Sequence, residues 1–158
     1  MVQIAYILLC HKDPEAIIAQ ARRLTRAGDA VSIHFDARAS AADYSTIRKE
    51  LDDNPNIAFA ARRMKCGWGE WSLVAATLQA LQAAERAFPN ATHFYMLSGV
   101  CMPVKTAEYA HAFLAAEDVD YIEAFDFFDS GWIKTGFREE RLIYRHYFNE
   151  RENKRLFY

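Results

Sequence analysis

Charge of one sign is what this chain most lacks: over 158 residues the formal net charge is only −2. That removes the electrostatic case for nucleic acid or an anionic membrane as partner. Cysteine is scarce as well, with Cys10, Cys66 and Cys101 alone and no Cys-x-x-Cys spacing. An odd, scattered set in or beside apolar runs reads as reduced, mostly buried thiols of a reducing compartment, not as a disulfide framework or a metal site. No apolar run approaches the roughly 20 residues of a membrane helix, and no basic region precedes the first one. The expectation is a soluble, cytoplasmic chain made without a targeting segment, membrane association being left to a longer parent protein. Repeats and low-complexity tracts are missing too.

What is present is apolar substance, at 52% of the residues, enough for one domain with an ordinary core. Ile4–Cys10 is a continuous apolar run of strand length without the alternation of a half-wet strand, the pattern of a central parallel strand. His11 and Lys12 end it, Asp13 stands where it can cap the next helix, and Pro14 suits that helix's first turn. Ile17, Ile18, Ala21 and Leu24 then recur at helical spacing up to Gly28. Further strands are predicted over Ala30–Phe35, Asn56–Ala60 and Thr92–Leu97, with a fifth over Asp120–Ala124. Helices start at Ser40, Ser72 and Thr106. Their predicted inward faces are Tyr44, Ile47 and Leu51, then Leu73, Thr77, Leu78, Leu81, Ala84 and Phe88, then Tyr109, Phe113 and Leu114. Strands alternating with such helices predict an α/β, Rossmann-like, mostly parallel sheet with helices on both faces and right-handed crossovers.

Open parallel sheets bind ligands at the carboxyl ends of their strands. Here those ends carry His11, Lys12, Asp36, the loop from Arg62 to Trp68, and Ser98 to Cys101. His11-Lys12-Asp13-Pro14 follows the first strand where a dinucleotide fold needs Gly-x-Gly-x-x-Gly, and neither a phosphate loop, a Gly-x-Ser-x-Gly elbow nor paired histidines at metal spacing occur. The familiar nicotinamide, flavin, nucleotide triphosphatase and hydrolase classes are thereby disfavoured. Asp118-Val119-Asp120 has the letters of a sugar-transferase metal motif, yet it leads into a strand and reads as a solvated turn.

Four blocks in order, Ile4 to Lys12, Ile33-His34-Phe35-Asp36, Arg63 to Leu73 with its Cys66-Gly67-Trp68-Gly69-Glu70-Trp71, and Leu97-Ser98-Gly99 with Pro103-Val104-Lys105, resemble the core-2/I-branching glycosyltransferase family. That family includes β-1,6-N-acetylglucosaminyltransferases and peptide O-xylosyltransferases. The resemblance covers about Gln3 to Glu123 and implies an inverting transfer from a UDP-sugar, N-acetylglucosamine or xylose, to an acceptor hydroxyl on a carbohydrate or glycoprotein. It implies a GT-A-like domain that needs no metal and no cofactor.

Carried over residue by residue, the resemblance makes Leu9 and Asp36 donor-nucleotide contacts, Asp36 accepting from a uracil N–H or a ribose hydroxyl; a plain turn role for Asp36 stays open. Cys66, Gly67 and Trp68 match the loop along the nucleotide, the glycines allowing close backbone approach. Trp68 and Trp71 also read as lids on the core, Trp71 more so. His11 contacts the loop or donor, or simply closes its strand. Arg63 faces the diphosphate or braces the surface, and Ser98 lies near the sugar. The family's aspartate after that Ser-Gly is replaced by Val100 and Cys101, which puts the sugar contact in doubt.

Inverting transfer needs a carboxylate base. The resemblance places it beyond Tyr158, leaving Glu123 as a weak candidate within the chain. Residues 1–124 thus read as a nucleotide-sugar-binding domain and 125–158 as an aromatic, basic extension of it, with a covering helix over 138–152 and a bulky Leu156-Phe157-Tyr158 end suited to self-association. The expectation is a donor-binding fragment. A non-catalytic nucleotide- or sugar-binding module, or a protein-interaction module, is the rival reading.

Overall fold

In the computed structural model, which describes residues 2–117, 119–121, 126 and 131, each apolar run of the first hundred residues is a strand and each helical period a helix. The chain divides into two compact units, Met1–Glu117 and Asp118–Tyr158, and the first holds every element described here. In order these are β1 (Ile4–Cys10), α1 (Pro14–Leu24), β2 (Ala30–Phe35), α2 (Ala41–Leu51), β3 (Ile57–Phe59), α3 (Trp71–Ala87), β4 (His93–Ser98) and α4 (Ala107–Ala116). All pairings are parallel and the strand order is β3-β2-β1-β4. This is the α/β, Rossmann-like sheet expected from the alternating pattern.

Period two along the strands sorts the core into two layers. Ile4, Tyr6, Leu8 and Cys10 of β1 and Val31, Ile33 and Phe35 of β2 meet Ile17, Ala21 and Leu24 of α1 and Ile47 and Leu51 of α2. The other face of the same strands, Ala5, Ile7 and Ala30, meets Ala80, Ala84 and Phe88. Small residues on both sides let α3 come close, and Ser32 Oγ donates to the Ala80 carbonyl at 2.7 Å. Burial of both β1 faces explains its unbroken apolar run.

Several expected details differ. Asp13 does not cap α1: it stands in the left-handed region at φ 57° with no side-chain cap bond, a conformation that lets the chain turn out of the sheet before Pro14. Ser40 and Thr106 do cap, accepting from the amides of Asp43 and Tyr109. Of the stripe predicted for α3, Leu81, Ala84 and Phe88 pack inward, but Ala76 and Ala80 take the places expected for Leu73, Thr77 and Leu78, because the helix seats its smallest residues on the sheet. Leu78 and Trp71 are exposed, so Trp71 is no core lid. In α4, Ala110 and Leu114 pack on the core while Tyr109 and Phe113 face outward. Asp118, most of the fifth strand with Glu123, and the helix expected over 138–152 lie outside the described residues.

At the amino edge of the sheet, Asp29 is buried and its Oδ1 accepts from the Ile4 amide at 2.9 Å and from His111 Nε2 at 2.8 Å. Helix α4, whose His111 lies 82 residues beyond Asp29, is thereby tied to the start of both central strands. Among the described residues no helix is long and apolar enough to cross a membrane.

Candidate functional site

The strand order turns around between β1 and β4, so the chains leaving these two carboxyl ends diverge and leave a groove between them. Register aligns Ser98, Leu9 and His34 in one row across β4, β1 and β2 at that edge. All three line a groove of about 1030 Å³. His11, Asp36 and Cys66 line it too, so six residues from all four of the matched blocks converge. Its far wall is apolar, built from Leu73, Val74 and Leu78 of α3, Tyr95 and Met96 of β4, and Val104.

Asp36 is both a groove residue and a turn residue. Its backbone N–H extends the sheet to the Cys10 carbonyl at 2.9 Å. Its Oδ1 accepts from the amides of Arg38 at 2.7 Å and Cys66 at 3.3 Å, fixing the turn and the following loop together. Arg38 Nη1 returns a bond to the Cys66 carbonyl at 2.8 Å. The second oxygen, Oδ2, has no hydrogen bond among the described residues.

Arg63, expected to face a diphosphate or to brace the surface, is not among the residues that line the groove. Its guanidinium donates to the carbonyls of Phe35 at 3.0 Å and Asp36 at 2.7 Å and lies 4.4 Å over the Tyr44 ring, so its charge is engaged in bracing the end of β2. Gly67 likewise has a local reason to be glycine. A Cβ there would sit 1.8 Å from the Glu70 carboxyl carbon, whose Oε2 accepts from Ser72 Oγ while that hydroxyl accepts from the Gly67 amide at 2.9 Å. The close approach at Gly67 is that of the loop's own Glu70 carboxylate. Gly67 and Trp68 stand outside the groove lining, with Trp68 81% exposed.

His34 is the groove residue that motif reading passed over. It is buried, and its Nε2 accepts from the Met64 amide at 2.8 Å, so the imidazole is neutral with its proton on Nδ1. Burial lowers its pKa below the ordinary 6.5, Arg63 adding to this and Asp36 opposing it. The signal was present: period two puts His34 on the face of Ala30 and Ser32, at the strand end where ligands bind. The thiols of Cys10 and Cys66 are pushed up by burial, to about 12 and about 11, and are not nucleophiles at neutral pH.

On the other side of β1, the chain leaving β4 makes a tight turn. Cys101 N–H donates to the Ser98 carbonyl at 3.0 Å, and Gly99 N–H to the Leu9 carbonyl at 2.9 Å. Gly99 is required here, since a Cβ would lie 2.8 Å from that of Cys10. Among the described lining residues Asp36 is the sole carboxylate and no lysine or arginine is present. Among the described residues no three His, Cys, Asp or Glu side chains group as a metal site.

A groove at the carboxyl edge of a parallel sheet, where strand order reverses, defines the class of open α/β proteins that bind their ligands there. Within that class the chain belongs to the Core-2/I-branching enzyme family, whose model matches residues 4–157. It is thus a member of a glycosyltransferase family, acting between a nucleotide-sugar donor and an acceptor, and its sheet is the GT-A-like part. The match runs on past the four sequence blocks, through the aromatic and basic segment. No curated protein matches the chain.

Proposed function

We propose that the groove binds the UDP moiety of a UDP-sugar, N-acetylglucosamine or xylose, for inverting transfer to an acceptor hydroxyl without a metal ion. The observation that carries this reading is the convergence of Leu9, His11, Asp36, Cys66 and Ser98, drawn from distant parts of the sequence, on one groove at the switch point. In this reading Asp36 Oδ2 accepts from the uracil or the ribose, His11 lies beside the donor, and the Ser98 turn stands at the sugar end. Leu9 supplies the floor. Trp68, exposed at the loop crest, belongs to the same loop and contacts the donor only when that loop folds over it.

A second reading, a non-catalytic nucleotide- or sugar-binding module, is favoured by one specific fact: the only carboxylate in the described lining is Asp36, already bonded to two amides. A base for acceptor activation has to come from residues beyond these. A thermal-shift screen with UDP, UDP-N-acetylglucosamine, UDP-xylose and NAD, followed by a transfer assay, separates the two. Stabilisation by UDP with sugar transfer supports the enzyme. Stabilisation without transfer supports the module, and no response to any uridine nucleotide removes both.

A further inference from the structure

Gln20 lies in α1, on the apolar stripe of Ile17, Ala21 and Leu24, and is only 6% exposed. A buried amide among such neighbours is costly unless its polar atoms are used. Its Nε2 donates to two carbonyls, that of Ser98 at 3.2 Å and that of Cys101 by a short contact, which are the first and last residues of the turn that ends β4. Both residues line the groove, and Gln20 does not. The amide orientation is settled by chemistry, because only its NH₂ can face two carbonyl oxygens. Its Oε1 is buried without a partner among the described residues, so the side chain carries an unsatisfied atom while it keeps both bonds.

Other bonds secure the same turn from above, with Ser98 Oγ and Cys101 Sγ 3.0 Å apart and Gly99 pressed on Cys10. Among the described residues, Gln20 is the helix side chain that hydrogen-bonds this turn. We propose that Gln20 is a positioning residue, an internal clamp that holds the Ser98–Cys101 turn against the end of β1 and so preforms the β4 side of the groove in which UDP is proposed to bind. This inference rests on the groove being the donor site.

The test uses the full chain and UDP as probe. Gln20→Leu keeps the volume and removes the donor, and Gln20→Glu keeps the shape but sets a carboxylate against two carbonyls. Unfolding temperature checks the fold of each, hydrogen exchange of residues 98–104 reads the turn, and calorimetry reads UDP affinity. Losing two hydrogen bonds to a preformed wall is expected to weaken UDP binding roughly tenfold, with faster exchange confined to 98–104. If Leu does not fold, Glu carries the comparison. Unchanged affinity in a folded variant overturns the positioning role, whatever the exchange shows. Failure of the unsubstituted chain to bind UDP overturns the donor reading, and this inference with it, before any variant is compared.

Discussion

Asp36 combines two duties on two oxygens, and the two can be separated. Asp36→Ala removes both, so the turn at Arg38 and the loop at Cys66 lose their acceptor along with any ligand contact. Asp36→Asn keeps Oδ1 for the amides and replaces the acceptor Oδ2 by a donor. We expect Asn to unfold near the wild-type temperature yet bind UDP weaker by roughly 1.5 to 3 kcal/mol, while Ala loses stability as well. Equal UDP binding by Asn and wild type, measured by calorimetry, would take Asp36 out of the site. His34 makes a second prediction, through pH. Its folded-state pKa is lowered, so the stability it supplies is complete above the unfolded value of 6.5 and is lost as pH falls below it. Urea midpoints measured from pH 7.5 to pH 5.5 should therefore decline, and the decline should shrink in His34→Gln. An identical slope in both proteins would assign the effect elsewhere. What could be seen at this scale from sequence was residue type and place. Asp36 and Ser98 stand at predicted strand ends, and they fall in the groove. Arg63 and Gly67 match motif letters equally well but are spent on local bonds, because letters do not say which way a guanidinium or a carboxylate turns.

Among the elements, the strands were legible because a strand buried on both faces has little choice of residue. The helices were legible in extent but not in rotation. An alanine-rich helix offers more than one stripe, and large side chains were expected inward on α3 by volume alone. The sheet chose Ala76, Ala80 and Ala84 because Ala5, Ala30 and Ser32 leave room only for close backbone approach. In α4 the expected Leu114 does pack inward, but Ala110 stands beside it where Tyr109 and Phe113 were expected. The device that docks α4, Asp29 with His111, had no sequence signal, since 82 residues separate the pair. We expect His111→Ala to lower stability by roughly 1.5 to 3 kcal/mol, because it strips a buried carboxylate of a partner and leaves it with the Ile4 amide. Denaturant unfolding measures it. A change below about 0.5 kcal/mol, the usual range of surface substitutions, would show that α4 docks by its apolar contacts alone.

For the whole molecule, family membership and the parallel sheet agree, and the question left to experiment is what enters the groove. Metal independence is part of the proposed function. We expect the UDP-induced rise in unfolding temperature to be the same with EDTA as with manganese. A rise that vanished on chelation would reverse that part of the proposal and turn attention to the acidic residues from Asp118 to Asp126. Topology has one further consequence, for the order in which the unit is built. Ile4 of β1 is paired with His93 of β4, and Gln3 with Thr92 across 89 residues, whereas β1 and β2 are joined by a single short crossover. A nascent chain can pair β1 with β2 as soon as the second strand emerges, but the β4 side of β1 stays open until the fourth strand has been made. Contacts so distant along the chain close slowly. The groove, which lies between β1 and β4, therefore closes only after β4 has been made, with α4 still to dock, and a ligand there reports that two strands distant in sequence have met.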